Sequence, residues 1–579
     1  MQNPCDRGAI PREGIFRREE NFIKKLLIIY LLRDDEKMRI PKLFLIAFVL
    51  MFFIHFVLAT SITSCSDSVT TGENILANNI NSSGTCLNII ASHTVLDCSG
   101  YTINYSHQSE GGSPGSSYYG VKMDIGGTLT NVTIKNCNFI QDNSSAVGSS
   151  IYAIYLSSVS SVSIINNTGD LKGGGAIKIS SVPNSNITSN NFSIWSLANG
   201  LSSSDSNNTL INNNTFLVNG SGESDGRGIA ISSGYLNTIE NNVITHNANS
   251  SGEGRQGIRL SGSNHIIRNN NITTANVVGL KSAGVNNTIV GNVINSGGDA
   301  LDIDIDSQNS LTTQFNSTVE NNTIFGKPIL YYANLNSLSI ANNNSIGQLL
   351  IYNTNNVYLS NLTMITRGLS LVADGNVTLV NSTFTSNISA VYAYNSTNLT
   401  INNNNFTRYN DNRTGGEAYL YLYGVRYSNI TSNNIETFND GTGGMMEECV
   451  GAINLMSIDT MGPSDTYSNN VILNNITTWG IISCGLQLKG AFNNTIRSNI
   501  IVGNSNKSIG IDVRFMTSTE NNIFNNRVTM KAGDTTSYVV QFNSMGPPSN
   551  NTFYNNLFNI SSSINNGSGV NIQPGMGAI

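Results

Sequence analysis

The stretch Leu236–Asn247, LNTIENNVITHN, sets an apolar residue (Ile239) three positions before Asn242 and five before a second apolar residue, Ile244. The same hexad returns as Ile267-Asn270-Ile272, Ile289-Asn292-Ile294 and Val319-Asn322-Ile324. Seventeen copies start at residues 134, 164, 187, 211, 239, 267, 289, 319, 340, 359, 379, 401, 430, 471, 496, 523 and 553. Fourteen carry Asn at the fourth position, and Cys137, Leu362 and Ser382 stand there in the others. Successive copies lie 19 to 41 residues apart, a range that belongs to solenoids, propellers and arrays. Helical repeats need strong helix formers, whereas Asn, Ser, Thr and Gly crowd this chain. Short β-branched strands broken by Asn and Gly turns fit an all-β parallel solenoid with one repeat per coil. Coils would stack ~4.8 Å apart, putting equivalent asparagines above one another so that each amide donates to the next carbonyl. A disordered Asn-rich chain has no need of apolar residues at fixed distances from the Asn.

A solenoid lengthens without enlarging its core, so 579 residues need not mean several globular domains. Only 11% of residues are charged. The first sixty hold ten Lys/Arg and seven Asp/Glu, leaving the remainder at a net charge of −9. No basic stripe is long enough to follow a phosphate backbone, so nucleic acid is not an expected partner.

Residues 1–37 form a charged leader, and Met38 reads as the true start. MRIPK, the uncharged run Leu43–Ala59 and the small polar stretch after it describe a signal peptide over 38–61, cleaved after Ala59 or Ser61. The rivals are an uncleaved membrane-anchor helix over 43–59 and a lipobox ending at Cys65. All three put the remainder outside the cytoplasm, extracellular or at the cell surface, with membrane contact only through this segment. Residues 62–105 read as a first coil or cap, 106–560 as the repeats and 561–579 as an irregular tail.

Six cysteines follow the leader: Cys65, Cys86, Cys98, Cys137, Cys449 and Cys484. An even number in an exported chain predicts disulfides. Cys98 stands three residues after Val95, as Cys137 does after Ile134. Sharing a ladder position one coil apart, they fall within disulfide reach. Cys449–Cys484 is predicted next, and Cys65–Cys86 follows by elimination.

The segment Cys65–Ile103, with its ANNINSSGTC and VLDCSGYTI, resembles the first coils of exported archaeal proteins with right-handed parallel β-helix domains in the pectin-lyase-like superfamily. The resemblance spans about residues 65 to 560. It implies the right-handed fold, while the superfamily's lyases, hydrolases, epimerases, adhesins and NosD-type copper accessory proteins leave activity open.

Most coils carry a second strand upstream of the hexad, often opening with Gly: GVKM (120–123), GIRL (257–260), GLSL (368–371), GLQL (485–488). Alternation turns the residue between its apolar ones outward. Arg259 and Lys281 are outward in this sense, and GGDALDIDID adds Asp302, Asp304 and Asp306 on one face, with Asp299 upstream. These carboxylates suit Ca²⁺, acid/base work on a sugar, or a plain salt-bridge strip. Val391-Tyr392-Ala393-Tyr394 and Leu420-Tyr421-Leu422-Tyr423 place two tyrosine pairs outward at equal distances from their hexads, with Tyr419 and Tyr331 extending the patch. Such rings suit sugar faces, or serve as a cross-coil ladder.

The Asp-Asp, GHG and RIK motifs of polygalacturonase-like relatives are missing after the leader, as is the DPHD of alginate epimerases. His93, His107, His246 and His265 do not cluster in sequence. Met445, Met446, Cys449, Met456 and Met461 are the one hint of copper, against loop or core methionines, and apart from Ca²⁺ at Asp302, Asp304 and Asp306 no other metal or cofactor is expected. About thirty Asn-x-Ser/Thr sequons, Asn131, Asn271, Asn398 and Asn475 among them, make some glycosylation an expectation. The sequence therefore predicts a structural or glycan-binding surface protein whose partners are extracellular glycans or cell-surface components. The alternative is a polysaccharide lyase, hydrolase or epimerase working in a groove.

Overall fold

The computed structural model describes residues 59–106, 117–123, 129–142, 151–303, 316–365, 368–543, 550–562 and 568–572, apart from 197, 221–225, 248–254, 276, 387–388, 409–418, 440–449, 459–465, 516 and 533–536. The charged leader and most of the signal or anchor segment lie outside them. Among the described residues no helix is long and apolar enough to cross a membrane.

The described elements are β-strands, and the chain is a right-handed parallel β-helix. Each coil goes once around the core in three strands: an upstream strand, the hexad strand and a downstream strand. Hexad strands pair in register from coil to coil, as in Ile211↔Ile239↔Ile267↔Ile289↔Val319. In most copies both apolar positions of the hexad point into the buried core of their stack, but Gly169 and the exposed Ser345 stand at the second position of the copies at 164 and 340.

Two tight corners bracket every hexad strand. The third residue of all seventeen hexads sits in the left-handed region, with φ between 51° and 68°. Twelve of these are Asn, which tolerates that conformation better than most residues. The ladder residue follows directly. Asn242 donates from Nδ2 to Asn270 Oδ1 and to the Ile211 carbonyl, each at 2.9 Å, and its N–H reaches Asn270 Oδ1 at 3.0 Å. The ladder runs Asn167, Asn190, Asn214, Asn242, Asn270, Asn292, Asn322, then again Asn404, Asn433, Asn474, Asn499, Asn526, Asn556.

A second ladder, which the hexad spacing does not announce, lies two residues before each hexad. Backbone N–H groups pass from Thr209 to Asn237, His265, Asn287 and Ser317, and later from Leu399 to Ser428, Asn469, Asn494, Asn521 and Asn551. His265 is thereby a buried corner ligand, its Nδ1 accepting from the Asn237 N–H, and burial holds its pKa below the usual value.

The glycine that opens many upstream strands has a steric cause. A Cβ on Gly257 would lie 2.5 Å from both the Gly279 carbonyl oxygen and Ile272 Cγ2. The upstream strand enters so close to the downstream sheet that only glycine fits.

Among the described residues the stack is interrupted once. Eight hexads, 134 to 319, continue one sheet begun by the first coils, and nine, 340 to 553, form another. Between them Thr323–Ile324 turns through Phe325-Gly326 and pairs antiparallel with Lys327–Pro328. Asn343, expected in the ladder, is instead half-buried and accepts from Ser345 N–H and Oγ. The outward residues Leu350, Tyr352 and Val372 of the second stretch join the core cluster of the first.

Candidate functional site

The tyrosine pairs stand where alternation places them. Tyr392 pairs with Tyr421 and Tyr394 with Tyr423 across adjacent upstream strands. The Tyr392 and Tyr421 rings stack at 5.7 Å and 9°, whereas Tyr394 and Tyr423 meet edge-on at 5.4 Å and 63°. All four are half-buried. Tyr421 O–H points at Met456 Sδ (3.4 Å), and Tyr423 O–H donates to the Ile458 carbonyl (3.0 Å). Tyr419 does not extend the patch. It is fully buried, and its O–H donates to the Thr407 carbonyl at 2.7 Å, because the chain enters this coil one residue before the strand with its side chain inward. Tyr331 pairs instead with Tyr352, at 5.6 Å, toward the first stretch.

The same two outward columns continue beyond the tyrosines into a polar set that the sequence reading missed. One runs Tyr421, Asn454, Gln487, Asp512, Gln541 and the other Tyr423, Met456, Lys489, Arg514. Asn454, Gln487, Lys489, Asp512, Arg514 and Gln541 are all buried, although they lie on the outer side of the sheet. Asp512 Oδ2 accepts from Arg514 Nε at 2.5 Å and from Gln487 Nε2 at 2.8 Å. Burial pushes the Asp512 carboxyl up, against the downward pull of Arg514, Gln487 and Lys489. A carboxyl, a guanidinium, an ammonium and carboxamides are thus set side by side in one buried polar cluster. The signal was available: GLQLK (485–489) and GIDVR (510–514) share one alternation.

The charged strip is also in register, Arg259↔Lys281↔Asp302, with Lys281 Nζ 3.2 Å from Asp302 Oδ2. Asp304 and Asp306 lie outside the described residues. Asp302 is thus an ion-pair partner at the end of its sheet, and among the described residues no group of three metal-ligating side chains occurs. Asp302 and Asp299 help burial raise the phenol pKa of Tyr352, so the strip ends beside the tyrosine side of the seam.

Two predicted disulfides are present, Cys65–Cys86 and Cys98–Cys137, with Cα atoms 4.3 and 4.7 Å apart. The register differs by one residue from that expected, because Leu96 rather than Val95 pairs with Ile134. Cys98 therefore sits one position before the ladder site and still reaches Cys137. Cys484 is disulfide-bonded, while Cys449 lies outside the described residues. Of the methionine group, Met445, Met446 and Met461 also lie outside them, and Met456 occupies the outward column beside Tyr423. His107 lies outside the described residues, and among those described the histidines do not converge: His93 meets Asn131, His246 Nε2 lies 2.8 Å from the Gly226 carbonyl, and His265 serves its corner.

A family described as right handed beta helix region matches residues 367–558, about a third of the chain. No curated protein matches. Among solved structures, DFA-IIIase from Arthrobacter chlorophenolicus A6 without its lid is 11% identical, with 57% of this chain and 83% of that one covered and a TM-score of 0.22. The Azotobacter vinelandii mannuronan C-5 epimerase AlgE6 A-module is 14% identical, covering 76% and 91%, with a TM-score of 0.19. The Dettilon tailspike protein is 12% identical, covering 66% and 62%, with a TM-score of 0.18. Likenesses this low carry no argument about what the chain does.

Proposed function

We propose that this chain is an exported, surface-exposed β-helix of the pectin-lyase-like superfamily that binds glycans along the outer side of its upstream strands. The observation that carries the reading is the two outward pairs of half-buried tyrosines on adjacent coils, Tyr392–Tyr421 and Tyr394–Tyr423. Aromatic bodies with hydroxyl tips suit the half-apolar faces of sugars. The ~4.8 Å coil rise is close to the length of one pyranose residue, so successive coils would meet successive sugars. The disulfides support an extracellular or cell-surface setting, and the family match supports the superfamily.

The test is a glycan array read with the parent and the Tyr392→Ser/Tyr421→Ser variant. Loss of binding by about tenfold or more, with the thermal midpoint nearly kept, supports the site. A lowered midpoint with binding unchanged leaves these tyrosines only a structural ladder.

One observation favours a second reading, a polysaccharide lyase, hydrolase or epimerase: Asp512 is a buried carboxyl whose pKa is raised, beside Arg514 and Lys489. Groups so tuned concentrate at catalytic sites. Product detection on the same array decides it. Cleavage or epimerisation lost in Asp512→Asn, with binding kept, makes the protein an enzyme; unaltered glycans in the parent remove that reading.

A further inference from the structure

The corner before each hexad turns through a left-handed residue at fifteen of the seventeen copies, and twelve of those fifteen are Asn or Ser. Leu236, Tyr427 and Glu520 are the exceptions. Tyr427 has φ of 54°, a conformation in which a bulky residue is an outlier. It fills no core, being 53% exposed.

Its ring meets that of Tyr467, one coil on, edge-on at 5.2 Å and 82°, and its O–H donates to the Tyr467 hydroxyl at 3.2 Å. Tyr467 meets Phe492 of the following coil at 5.0 Å and 34°. Tyr467 and Phe492 are half-buried and stand in one bridge column with Thr397 and Arg426. Three rings from three successive coils thus line one ridge. The stacked Tyr392–Tyr421 rings lie nearly parallel, at 9°, whereas the ridge rings are turned against one another by 82° and 34°. Arg426, the charged member of the bridge column, is tied to Asn395. Strained residues held by their surroundings concentrate at binding sites, and rows of aromatic rings suit sugar faces without needing charge.

We infer that the ridge Tyr427–Tyr467–Phe492 binds an uncharged polysaccharide strand lying along the solenoid axis. The ridge is separate from the outward tyrosine columns, and none of its three residues belongs to them. With a coil rise of ~4.8 Å, one ring is offered for about each sugar. Tyr427 is the residue that makes the ridge three coils long, and its strained corner is the cost of placing a ring there.

Tyr427→Asn tests this with little risk to folding, because Asn398 and Asn493 occupy the same corner on other coils. The probes are hexasaccharides of β-1,4-glucan, β-1,4-mannan and β-1,4-xylan, titrated against the full chain. The expected result is that the parent binds at least one of them and that Tyr427→Asn and Phe492→Ser each weaken it by about tenfold. Tyr427→Phe, which keeps the ring, should stay close to the parent, and the Tyr427→Asn thermal midpoint should hold or rise. Parent-like binding by Tyr427→Asn, or no hexasaccharide bound by the parent, overturns the inference. Tyr392→Ser is titrated in parallel. Binding lost there but kept in Tyr427→Asn upholds the tyrosine columns and overturns the ridge, and the reverse pattern does the opposite.

Discussion

The carboxamide of Gln348 closes both backbone groups of Leu301, accepting from its N–H at 3.0 Å and donating to its carbonyl at 2.9 Å. Leu301–Ile303 is the last strand of the first stretch's upstream sheet, where the next coil would otherwise pair. One buried side chain stands in for a missing strand.

Gln348→Leu should leave two backbone groups of Leu301 buried and unsatisfied. At about 1–3 kcal/mol per group, a loss on the order of 2–5 kcal/mol is expected, borne mainly by the last coils of the first stretch. Hydrogen exchange at the Leu301 amide should speed up well before exchange at Ile258. Equal changes at both would show the loss to be global.

Asn242→Ala should be far costlier than Asn343→Ala. The former leaves the Asn214 N–H and the Ile211 carbonyl without their ladder partner, worth about 2–5 kcal/mol together. The latter removes only two local, exposed bonds from Ser345, worth at most about 0.5–1.5 kcal/mol each. Urea unfolding of the two variants side by side measures the gap, and equal costs would contradict the break in the ladder.

Asp374 should make stability fall as pH rises. Burial pushes its carboxyl up to about 8, although the Thr354 and Val372 N–H groups pull the other way. The unfolded chain gives up this proton near 4 while the folded one keeps it to about 8, so the contribution is fully present below pH 4 and is lost through pH 8. Asp374→Asn should remove that slope while losing the acceptor for one amide. A variant whose pH profile matches the parent's would assign the slope elsewhere.

Gly257→Ala should destabilise by about 1–3 kcal/mol through overpacking, since its Cβ would meet Gly279 and Ile272 at 2.5 Å. Gly510→Ala, with Val528 Cγ1 at 2.4 Å, should behave alike. Thermal unfolding checks both, and neutral substitutions would mean that the neighbouring coils give way.

Much of this was legible because a solenoid turns sequence period into contact. Three positions from Ile239 to Asn242 mean one corner, and nine from Tyr392 to Ile401 and from Tyr421 to Ile430 mean one column. The second ladder was hidden because Thr209, Asn237, His265 and Ser317 share a role and not a residue type. The seam was half hidden because Ile340 and Asn343 keep the first half of the hexad, while Ser345 stands where its second apolar residue belongs. What ends the first sheet is the two-residue turn Phe325-Gly326, which returns the chain antiparallel before a full coil is made. Tyr419 was misplaced because alternation applies inside a strand, and Leu420 is where that strand begins. Asp512 and Arg514 were passed over because no motif marks them, and their meaning lies in the tyrosines three coils away.

The closed lower rim of the first stretch has a mechanical consequence. Within a stretch, load between coils is shared by three strands' worth of parallel bonds and by the asparagine columns. At the seam those columns stop, and the joint rests on Gln348, the antiparallel turn at Phe325-Gly326 and the apolar contact of Leu350, Tyr352 and Val372. A pull along the chain should therefore part the molecule here first, releasing two intact spools rather than unwinding one from its end.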